Sequence, residues 1–308
     1  MELIYLDNNK QYSFEPIVAT LGMFDGIHQG HIALLDETIK IGRVNNLKTA
    51  VITFDPHPDF VLGKEEDLHY ITPFEVKKQL IKSLGFDYLF VIKFTLDVAS
   101  TTPEDFVNNY LLKINVVHTV VGYDFTFGKQ GLGKPADISL YSHNLITNTI
   151  INKVQYNNEK VASADVKDSL VKGNIEKANA LLKRPYEIQG EVIYGNQVGR
   201  TINVPTANIA YDENYVMLKT GVYATTIVVD QVEYPSITNI GHNPSFNYSK
   251  RRSLETHIID FNGNIYGKTV TLKFYKRLRD EVKFNSKEEF LKQISLDKKE
   301  TLMIIRHL

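Results

Sequence analysis

The hydrophobic pattern of this chain changes once, close to residue 184, and that change limits the folds open to it. Before this point, short apolar runs such as 17–21 and 50–54 alternate with the helical periodicity seen over 31–43. Strands that alternate with helices of this length indicate right-handed crossovers and a parallel sheet. After it, strand-like runs follow one another with Gly, Asn and Asp between them. That spacing is typical of a compact antiparallel barrel or sandwich.

The length of the chain, 308 residues, also favours two domains, because a single hydrophobic core stops growing near ~250–300 residues. We therefore predict an α/β domain over 1–184 and a β-rich domain over 185–308. In the first domain we also expect helical segments at 73–84, 103–112 and 165–182 and strands at 88–92 and 119–121. The second domain is expected to contain strands at 187–193, 221–229, 234–240, 255–260 and 270–275, and a final helix at 287–294, continued by 297–306.

Composition narrows the classes of function. The chain has no cysteine, which excludes disulfides, thiolate nucleophiles and cysteine-ligated metal centres. Its 35 basic and 36 acidic residues give a net charge of -1, which argues against a broad grip on nucleic acid or anionic lipid. The start of the chain lacks the pattern of a signal peptide, and no run of ~18 apolar residues occurs. We expect a cytoplasmic protein with small-molecule partners and no nucleic-acid or membrane partner, and the oligomeric state stays open.

The first chemical motif lies between the strand at 17–21 and its helix. Gly22 and Gly26 allow the backbone to turn tightly and approach a ligand, and His28 and His31 flank Gly30 at the start of the helix. An α/β protein binds anions at such a junction, so both imidazoles can reach a phosphate there. Two unrelated turn histidines are the alternative, and a metal site is less favoured because no third ligand stands nearby.

The second motif occupies 199–208, between β-rich segments. Thr206 and Asn208 offer a hydroxyl and an amide oxygen two residues apart, which suits a hard cation that carries ATP phosphates. Further along, Glu255 stands in a strand-like run and could accept a proton from a substrate hydroxyl. A capped turn followed by an outward-facing glutamate would explain the same residues, and the residues alone do not separate the two interpretations.

Three motifs of the first domain together resemble a known family. The run 22–31 resembles the His-x-Gly-His signature of the nucleotidyltransferase superfamily. With Thr-Phe-Asp-Pro-His-Pro at 53–58 and Gly-Tyr-Asp-Phe-Thr-Phe-Gly at 122–128, it is similar to the N-terminal module of prokaryotic bifunctional riboflavin kinase/FAD synthetases. The resemblance implies a Rossmann-like nucleotidyltransferase domain with a parallel sheet. It also implies transfer of AMP from ATP to FMN, which gives FAD and pyrophosphate, with Mg²⁺.

The same resemblance implies roles for individual residues. The ATP phosphates would be held by two catalytic histidines, His28 and His31. The nucleotide pocket would be shaped by four residues of the same loop: Gly22, Phe24, Asp25 and Gly30. The flavin would lie beside three residues of the third motif: Asp124, Phe125 and Phe127. A strand end followed by core aromatic residues is an alternative that is compatible with this last role.

One segment of the first module departs from the family. Where the family has a Ser-Ser-Thr-x-Ile-Arg type of segment, this chain has Ala-Ser-Ala-Asp-Val-Lys at 162–167. A hydroxyl is missing, and Asp165 brings a negative charge near the expected phosphates. Ser163 and Lys167 remain candidate nucleotide-binding residues, so we expect adenylyl transfer to survive, at a full or a weakened rate. A plain helix start, with Asp165 favouring its N-terminal end, would explain the segment equally.

The second half of the chain resembles the riboflavin kinase module of the same family, a small antiparallel β-barrel. The resemblance rests on Pro-Thr-Ala-Asn at 205–208 and on later motifs in the family's order, such as Asn-Ile-Gly at 239–241. It implies that ATP phosphorylates the ribityl 5′-hydroxyl of riboflavin, with Glu255 as the general base. Mg²⁺ and nucleotide phosphate would be held by Thr206 and Asn208. Gly199 and Arg200 would also contact the nucleotide.

The kinase loop departs from the family at three positions. Val198, Asn203 and Val204 stand where Arg, Gly and Phe are usual. Loss of the arginine removes a positive charge, and an asparagine side chain occupies space that glycine leaves for a phosphate. Three hypotheses therefore stay open: a bifunctional enzyme, an FAD synthetase with a weakened or lost kinase, and a non-catalytic flavin or nucleotide binder used for regulation.

Overall fold

The computed structural model describes residues 1–195, 204–242 and 252–307. The chain forms two compact units. The first consists of Met1–Leu68 and Thr72–Ala162, and the second consists of His69–Ile71 and Ser163–Leu308. By its contacts, the segment from Ser163 onward groups with the second unit, whereas the division of the two functional modules at 184/185 stays a prediction.

The first unit alternates strands and helices. Its strands are β1 (Glu2–Leu6), β2 (Ile17–Leu21), β3 (Lys48–Asp55), β4 (Tyr88–Lys93), β5 (Val116–Gly122), β6 (Thr147–Ile151), β7 (Gln155–Tyr156) and β8 (Glu159–Lys160). Its α-helices are α1 (Gln29–Asn45), α2 (Pro58–Val61), α3 (Phe74–Ser83), α4 (Leu96–Ser100), α5 (Pro103–Phe106) and α6 (Asp137–Tyr141). Short π- and 3-10-helical turns occupy Val107–Leu111, Leu112–Ile114 and Lys129–Gly131.

A six-stranded parallel sheet in the order β1-β4-β3-β2-β5-β6 forms the centre of this unit. Strand β2 is buried along its whole length, because Ile17 and Ala19 belong to one hydrophobic cluster and Val18 belongs to another. A continuous apolar run is what a strand covered on both faces requires. The predicted parallel sheet is confirmed. The two edge strands β1 and β6, whose polarity is mixed, were not predicted.

The second unit begins with two helices and continues as a barrel. Its elements are α7 (Ser163–Lys172), α8 (Ile175–Leu182), β9 (Tyr186–Ile193), β10 (Ala207–Tyr211), β11 (Gly221–Val229), β12 (Val232–His242), β13 (Arg252–Ile258), β14 (Thr269–Arg279) and α9 (Lys287–Arg306). The helical stretch expected at 165–182 is present, but it is divided into two helices at Gly173 and Asn174. Gly173 has a positive φ of 79°, and Asn174 caps a new helix by accepting a hydrogen bond from the Lys177 N–H at 3.1 Å.

The strands β10-β13-β12-β11-β14-β9 close into an antiparallel barrel, so the barrel alternative of the sequence analysis is confirmed. Inside it, fully buried hydroxyl groups hydrogen-bond to one another across strands; these belong to Thr225, Ser236, Thr238 and Thr256. Helix α9 is a single helix that covers one outer face. Arg279 of β14 anchors it through hydrogen bonds of 2.8 and 3.1 Å to the buried Asp297.

Candidate functional site

The loop between β2 and α1 has an unusual backbone. Phe24 and Ile27 have φ values of 51° and 44°, which non-glycine residues seldom adopt. Contacts from outside the loop compensate for this conformation. The Gly26 N–H donates to Thr72 Oγ1 at 2.9 Å, and the Thr72 N–H donates to Asp25 Oδ1 at 3.1 Å. The loop at the carboxyl end of the central strand is therefore a fixed structure rather than a loose connection.

The two histidines of the first motif lie together. His28 caps α1, with its Nδ1 accepting a hydrogen bond of 3.3 Å from the His31 N–H. The two rings stack with centroids 3.7 Å apart and an angle of 14° between their planes. A Cβ at Gly30 would lie 3.1 Å from the His28 ring, so only glycine leaves this stack undisturbed. The structure thus brings together the predicted pair and the glycine between them.

The charge state of His31 follows from its surroundings. Burial, together with the charges of His28 and Lys77, lowers the pKa of His31 well below 6.5. His31 is therefore a neutral imidazole near pH 7. Within the described residues its Nδ1 is buried and has no hydrogen-bond partner, which suits an atom that bonds to a ligand. The ring can stabilise a phosphate through a polar bond, but not through a full positive charge.

The other loop candidates support the histidines from inside the protein. The Phe24 ring is fully buried and meets the His31 ring edge-on at 5.2 Å. A Cβ at Gly22 would lie 3.3 Å from the same phenylalanine ring. Asp25 is 3% exposed and bonds to Thr72. The structure places Phe24 and Asp25 where they shape the loop, and their assignment to the nucleotide pocket stays a prediction.

Lys77 is a residue of this region that the sequence analysis missed. It lies on α3 and is 3% exposed. Its Nζ donates to the Met23 carbonyl oxygen at 3.0 Å and to Thr53 Oγ1 at 3.4 Å. Burial lowers the pKa of Lys77 to about 8, and Asp25 and Asp55 oppose that change. A lysine four residues before the buried Ile81, on the apolar face of a predicted helix, was the signal available in the sequence.

The three flavin candidates divide into two groups. Phe127 is 4% exposed and belongs to the hydrophobic core, as the core-aromatic alternative expected. Phe125 is half-buried and stacks on it, with ring centroids 5.9 Å apart. Asp124 is exposed and forms an ion pair with Lys160, which the sequence analysis also missed. The hydrogen bond to Asp124 raises the pKa of Lys160, so this lysine is a cation at neutral pH.

Two nucleotide candidates lie on α7, in the second unit. Ser163 is the first residue of that helix, and Lys167 follows one turn later. Asp165 lies in the first turn, where a negative charge favours the helix N-terminus. This position agrees with the helix-start alternative, and the assignment of the two residues to the nucleotide stays a prediction.

In the barrel, strand pairing assembles residues that are distant in sequence. Asn208 was expected in a loop, but it lies on β10, directly opposite Glu255 of β13. Glu255 is in turn opposite Asn239 of β12. Residues that face each other in antiparallel strands point to the same side of a sheet. The fully buried Thr256 points inward, so the row Asn208–Glu255–Asn239 lies on the outer face of the barrel.

Glu255 and Thr206 line a pocket of about 250 Å³. Its remaining walls are mostly apolar and include Val204, Val222, Ile237, Phe284 and Phe290. Glu281, which accepts a hydrogen bond from Asn239 Nδ2 at 3.1 Å, also faces this pocket. Burial and the nearby negative charge of Glu281 raise the pKa of Glu255. A carboxylate in this setting is a stronger base than an exposed one.

A second pocket of about 280 Å³ lies on the other side of Thr206. It is lined by Thr206, Ala207 and Thr256 and by the segment from Phe261 to Tyr266. The Tyr266 ring is stacked on Tyr194 at 4.0 Å. The hydroxyl-bearing Thr206 therefore borders these two pockets.

Four residues of the kinase loop lie outside the described part of the chain: the candidates Gly199 and Arg200, and the departures Val198 and Asn203. Val204 is described; it is 6% exposed and lines the Glu255 pocket. Within 1–195, 204–242 and 252–307, no three His, Asp or Glu side chains are grouped so that they could hold a metal ion. Over the same residues, no helix combines the length and the apolar character that crossing a membrane requires.

A histidine pair at the start of α1, beside a parallel sheet, and a closed barrel with Glu255 at a pocket are the arrangement expected of a two-module nucleotide-dependent transferase. The family model described as FAD synthetase matches residues 10–165, and the one described as riboflavin kinase matches residues 182–305. The chain belongs to the family of bifunctional riboflavin kinase/FMN adenylyltransferases.

Individual relatives agree with this family. The protein named bifunctional riboflavin kinase/FMN adenylyltransferase from Listeria monocytogenes serovar 1/2a is 38% identical over 92% of this chain and 91% of its own length. The protein of the same name from Bacillus subtilis (strain 168) is 39% identical over 94% of this chain and 93% of its own. A crystal structure from Streptococcus pneumoniae, titled a macrolide-efflux protein, superposes with a TM-score of 0.89 at 29% identity, covering 97% of this chain and 98% of that chain.

Proposed function

We propose that the chain makes FAD in two steps: it phosphorylates riboflavin to FMN, and it then transfers AMP from ATP to FMN with release of pyrophosphate. The observation that carries this proposal is that each family match contains its own set of chemically suited residues. The stacked histidines lie within residues 10–165, and the row around Glu255 lies within residues 182–305.

In adenylyl transfer, a phosphate oxygen of FMN attacks the α-phosphorus of ATP. The bond from that phosphorus to the bridging oxygen breaks, and pyrophosphate leaves. This chemistry depends mainly on positioning and on electrostatic stabilisation. We assign the ATP phosphates to His28 and His31, and their position at the N-terminus of α1 supports this role. Since His31 is neutral near pH 7, its contribution is a polar bond to the phosphate.

The flavin substrate of this step would lie against Asp124 and Phe125. Lys160 adds a cation beside them, with its Nζ 5.5 Å from the centre of the Tyr123 ring. The next residue, Val161, has its carbonyl oxygen 3.7 Å from where a Cβ at Gly30 would stand. The chain after Lys160 thus passes beside the histidine loop, and we assign the Lys160 ammonium to the phosphate of FMN. Phe127, which is buried, would support the stack rather than contact the flavin.

In the kinase step, the ribityl 5′-hydroxyl of riboflavin attacks the γ-phosphorus of ATP, its proton passes to Glu255, and ADP leaves. The raised pKa of Glu255 makes it suited to take this proton. The apolar walls of the Glu255 pocket suit the flat ring system of a flavin, and the pocket beyond Thr206 is available to the nucleotide.

Mg²⁺ fits the oxygen donors of the barrel. The hydroxyl of Thr206 and the side-chain oxygen of Asn208 are hard, uncharged ligands, and Mg²⁺ usually completes its shell with water and substrate phosphates. Bound there, the ion would neutralise charge on the phosphates of ATP. We also place the enzyme in the cytoplasm, where ATP is available and a chain without cysteine needs no oxidising compartment.

The test is incubation of the purified chain with ATP and Mg²⁺ and with either riboflavin or FMN, followed by chromatography of the flavins. FAD from both substrates is the expected result. FAD from FMN alone would show that the kinase module has been lost, as the departures at Val198, Asn203 and Val204 allow. Flavin binding without release of pyrophosphate from either mixture would overturn the proposal in favour of a regulatory binder.

A further inference from the structure

Lys77 is a buried cation that the chemistry proposed above does not use. Both hydrogen bonds that its Nζ makes within the described part of the chain go to uncharged oxygens, those of Met23 and Thr53. Burial of an ammonium group without a bonded carboxylate opposes folding. A methionine or leucine would fill the same apolar face of α3 without that penalty. A role in the neighbouring histidine loop would explain why a lysine is present instead.

The first reason is the position of its acceptor in the loop. The Met23 carbonyl belongs to the peptide that leads into Phe24, whose φ is 51°. The Phe24 ring in turn meets the His31 ring edge-on at 5.2 Å. The bond from Lys77 therefore fixes the start of a strained turn whose next side chain contacts one of the paired histidines. The second bond, to Thr53 of β3, fixes Lys77 itself against the sheet.

The second reason is charge. The charged or titratable groups that act on Lys77 are Asp25 of the loop, Asp55 at the end of β3 and His31 of α1. His31 is neutral at pH 7, so its ring brings no positive charge to the phosphates. The ammonium of Lys77 is a positive charge close to this loop. In a buried setting such a charge acts over a longer distance than it does in water.

We propose that Lys77 is a positioning residue for adenylyl transfer. Its ammonium holds the Met23 carbonyl so that the loop keeps the histidine pair aligned on the nucleotide phosphates, and its charge favours the polyphosphate. Lys77 is 3% exposed, so it acts through the loop and not by direct contact with the substrate. The inference rests on the proposed adenylyl transfer.

A positioning role that depends on charge has a pH signature. Lys77 has a pKa of about 8, so wild-type adenylyl transfer should decline as the pH rises through that value. Arginine stays protonated throughout this range. The variant Lys77→Arg should therefore keep its activity above pH 8, while Lys77→Met should be weak at every pH. A residue that only filled space would leave the shape of the profile unchanged.

The experiment measures FAD formation from FMN between pH 6.5 and 9.5 in the full-length wild type, Lys77→Met and Lys77→Arg. Lys78→Met is the matched control, since it removes the same charge from the next residue, whose side chain is 30% exposed and pairs with Glu75. Riboflavin phosphorylation in the same preparations reports whether the rest of the chain is folded. We expect kcat/KM for FMN to fall at least about 10-fold in Lys77→Met at pH 7 and to stay near wild type in Lys78→Met.

The possible results distinguish a failure of the role proposed for Lys77 from a failure of the proposed adenylyl transfer itself. A wild-type chain that makes no FAD from FMN overturns both. Normal FAD formation in Lys77→Met, or the same alkaline decline in wild type and Lys77→Arg, overturns the role of Lys77 alone. Should Lys77→Met fail to fold, the comparison of the wild-type and Lys77→Arg profiles still decides, because arginine retains a donor and the charge.

Discussion

The two candidate sites of this protein are built in opposite ways. The histidine site is contiguous in sequence: one loop and the first turn of α1 supply its main residues, and a strained backbone holds them. The barrel site is discontinuous, because Asn208, Glu255 and Asn239 come from three strands and meet only through strand register. A contiguous site depends on local conformation, whereas a register-built site depends on the whole barrel. Substitutions should therefore damage the two activities separately and by different routes.

The largest expected effect is a loss of adenylyl transfer that leaves riboflavin phosphorylation intact. Replacing both His28 and His31 by alanine should reduce FAD formation from FMN by at least about 10³-fold, because the two groups that we propose to bond to the phosphates are removed. Riboflavin phosphorylation should remain close to wild type. Both rates are measured on the same preparation by chromatography of the flavins. Parallel loss of the two activities would mean that the sites are not independent.

The reciprocal change is Glu255→Gln. It keeps the size of the side chain but removes the carboxylate that we propose as the proton acceptor, so riboflavin phosphorylation should fall about 10²-fold. FAD formation from FMN should not change, which makes the adenylyl reaction an internal control. Glu233→Gln is a useful comparison, since Glu233 is a carboxylate elsewhere on the barrel that bonds to Lys273. Full kinase activity in Glu255→Gln would remove this residue from the role of base.

A smaller effect tests how exact the histidine stack must be. In Gly30→Ala the new methyl group would lie 3.1 Å from the His28 ring, so the ring must shift by a few tenths of an ångström. Alanine is the better helix former, so the variant should be folded. We expect adenylyl transfer to fall about 10-fold, measured as kcat/KM for ATP. Wild-type kinetics in this variant would show that the stack tolerates displacement.

The smallest expected effect concerns stability rather than rate. A pKa lowered from 10.5 to about 8 corresponds to a cost of about 3 kcal/mol for Lys77 in the folded state at neutral pH. Lys77→Met removes that cost and also two hydrogen bonds, so the net gain in the free energy of unfolding should be about 1 kcal/mol.

The sign of the pH dependence follows from the direction of the change in pKa. Because the folded pKa lies below the unfolded one, the cost is complete below about pH 8 and disappears as the pH rises toward 10.5. The advantage of Lys77→Met over wild type should therefore shrink between pH 7 and pH 9.5 in urea titrations. An advantage that grew with pH would contradict the assignment of a buried, charged lysine.

The contrast between the two sites also explains what the sequence could predict. The junction of β2 and α1 was predictable, because its glycines and histidines lie within 22–31 and are flanked directly by the apolar runs of the strand and the helix. The position of Asn208 was not, because β10 is short and the register that places it against Glu255 is set by the closure of the barrel. Sequence spacing offers no measure of that register.

Lys77 and Lys160 were missed for a different physical reason. A lysine is normally exposed, so one on a helix or a short hairpin is taken for a solvated side chain. Only the packing of α3 beneath the loop buries Lys77, and only the fold brings Lys160 against Asp124. Edge strand β6 was missed because two of its five residues are exposed and none is fully buried, so its hydrophobic pattern is weak.

The row that contains Glu255 has a practical consequence for changing what the barrel accepts. The separation between the Cα atom of Glu255 and those of Asn208 and Asn239 is set by the distance between hydrogen-bonded strands, about 5 Å, and not by the side chains of the pocket. Residues that line the pocket, such as Val222 and Ile237, can therefore be substituted to accept a different alcohol substrate, while Glu255 and the two asparagines keep their backbone spacing. In such a framework, selectivity and reactivity can be adjusted one at a time.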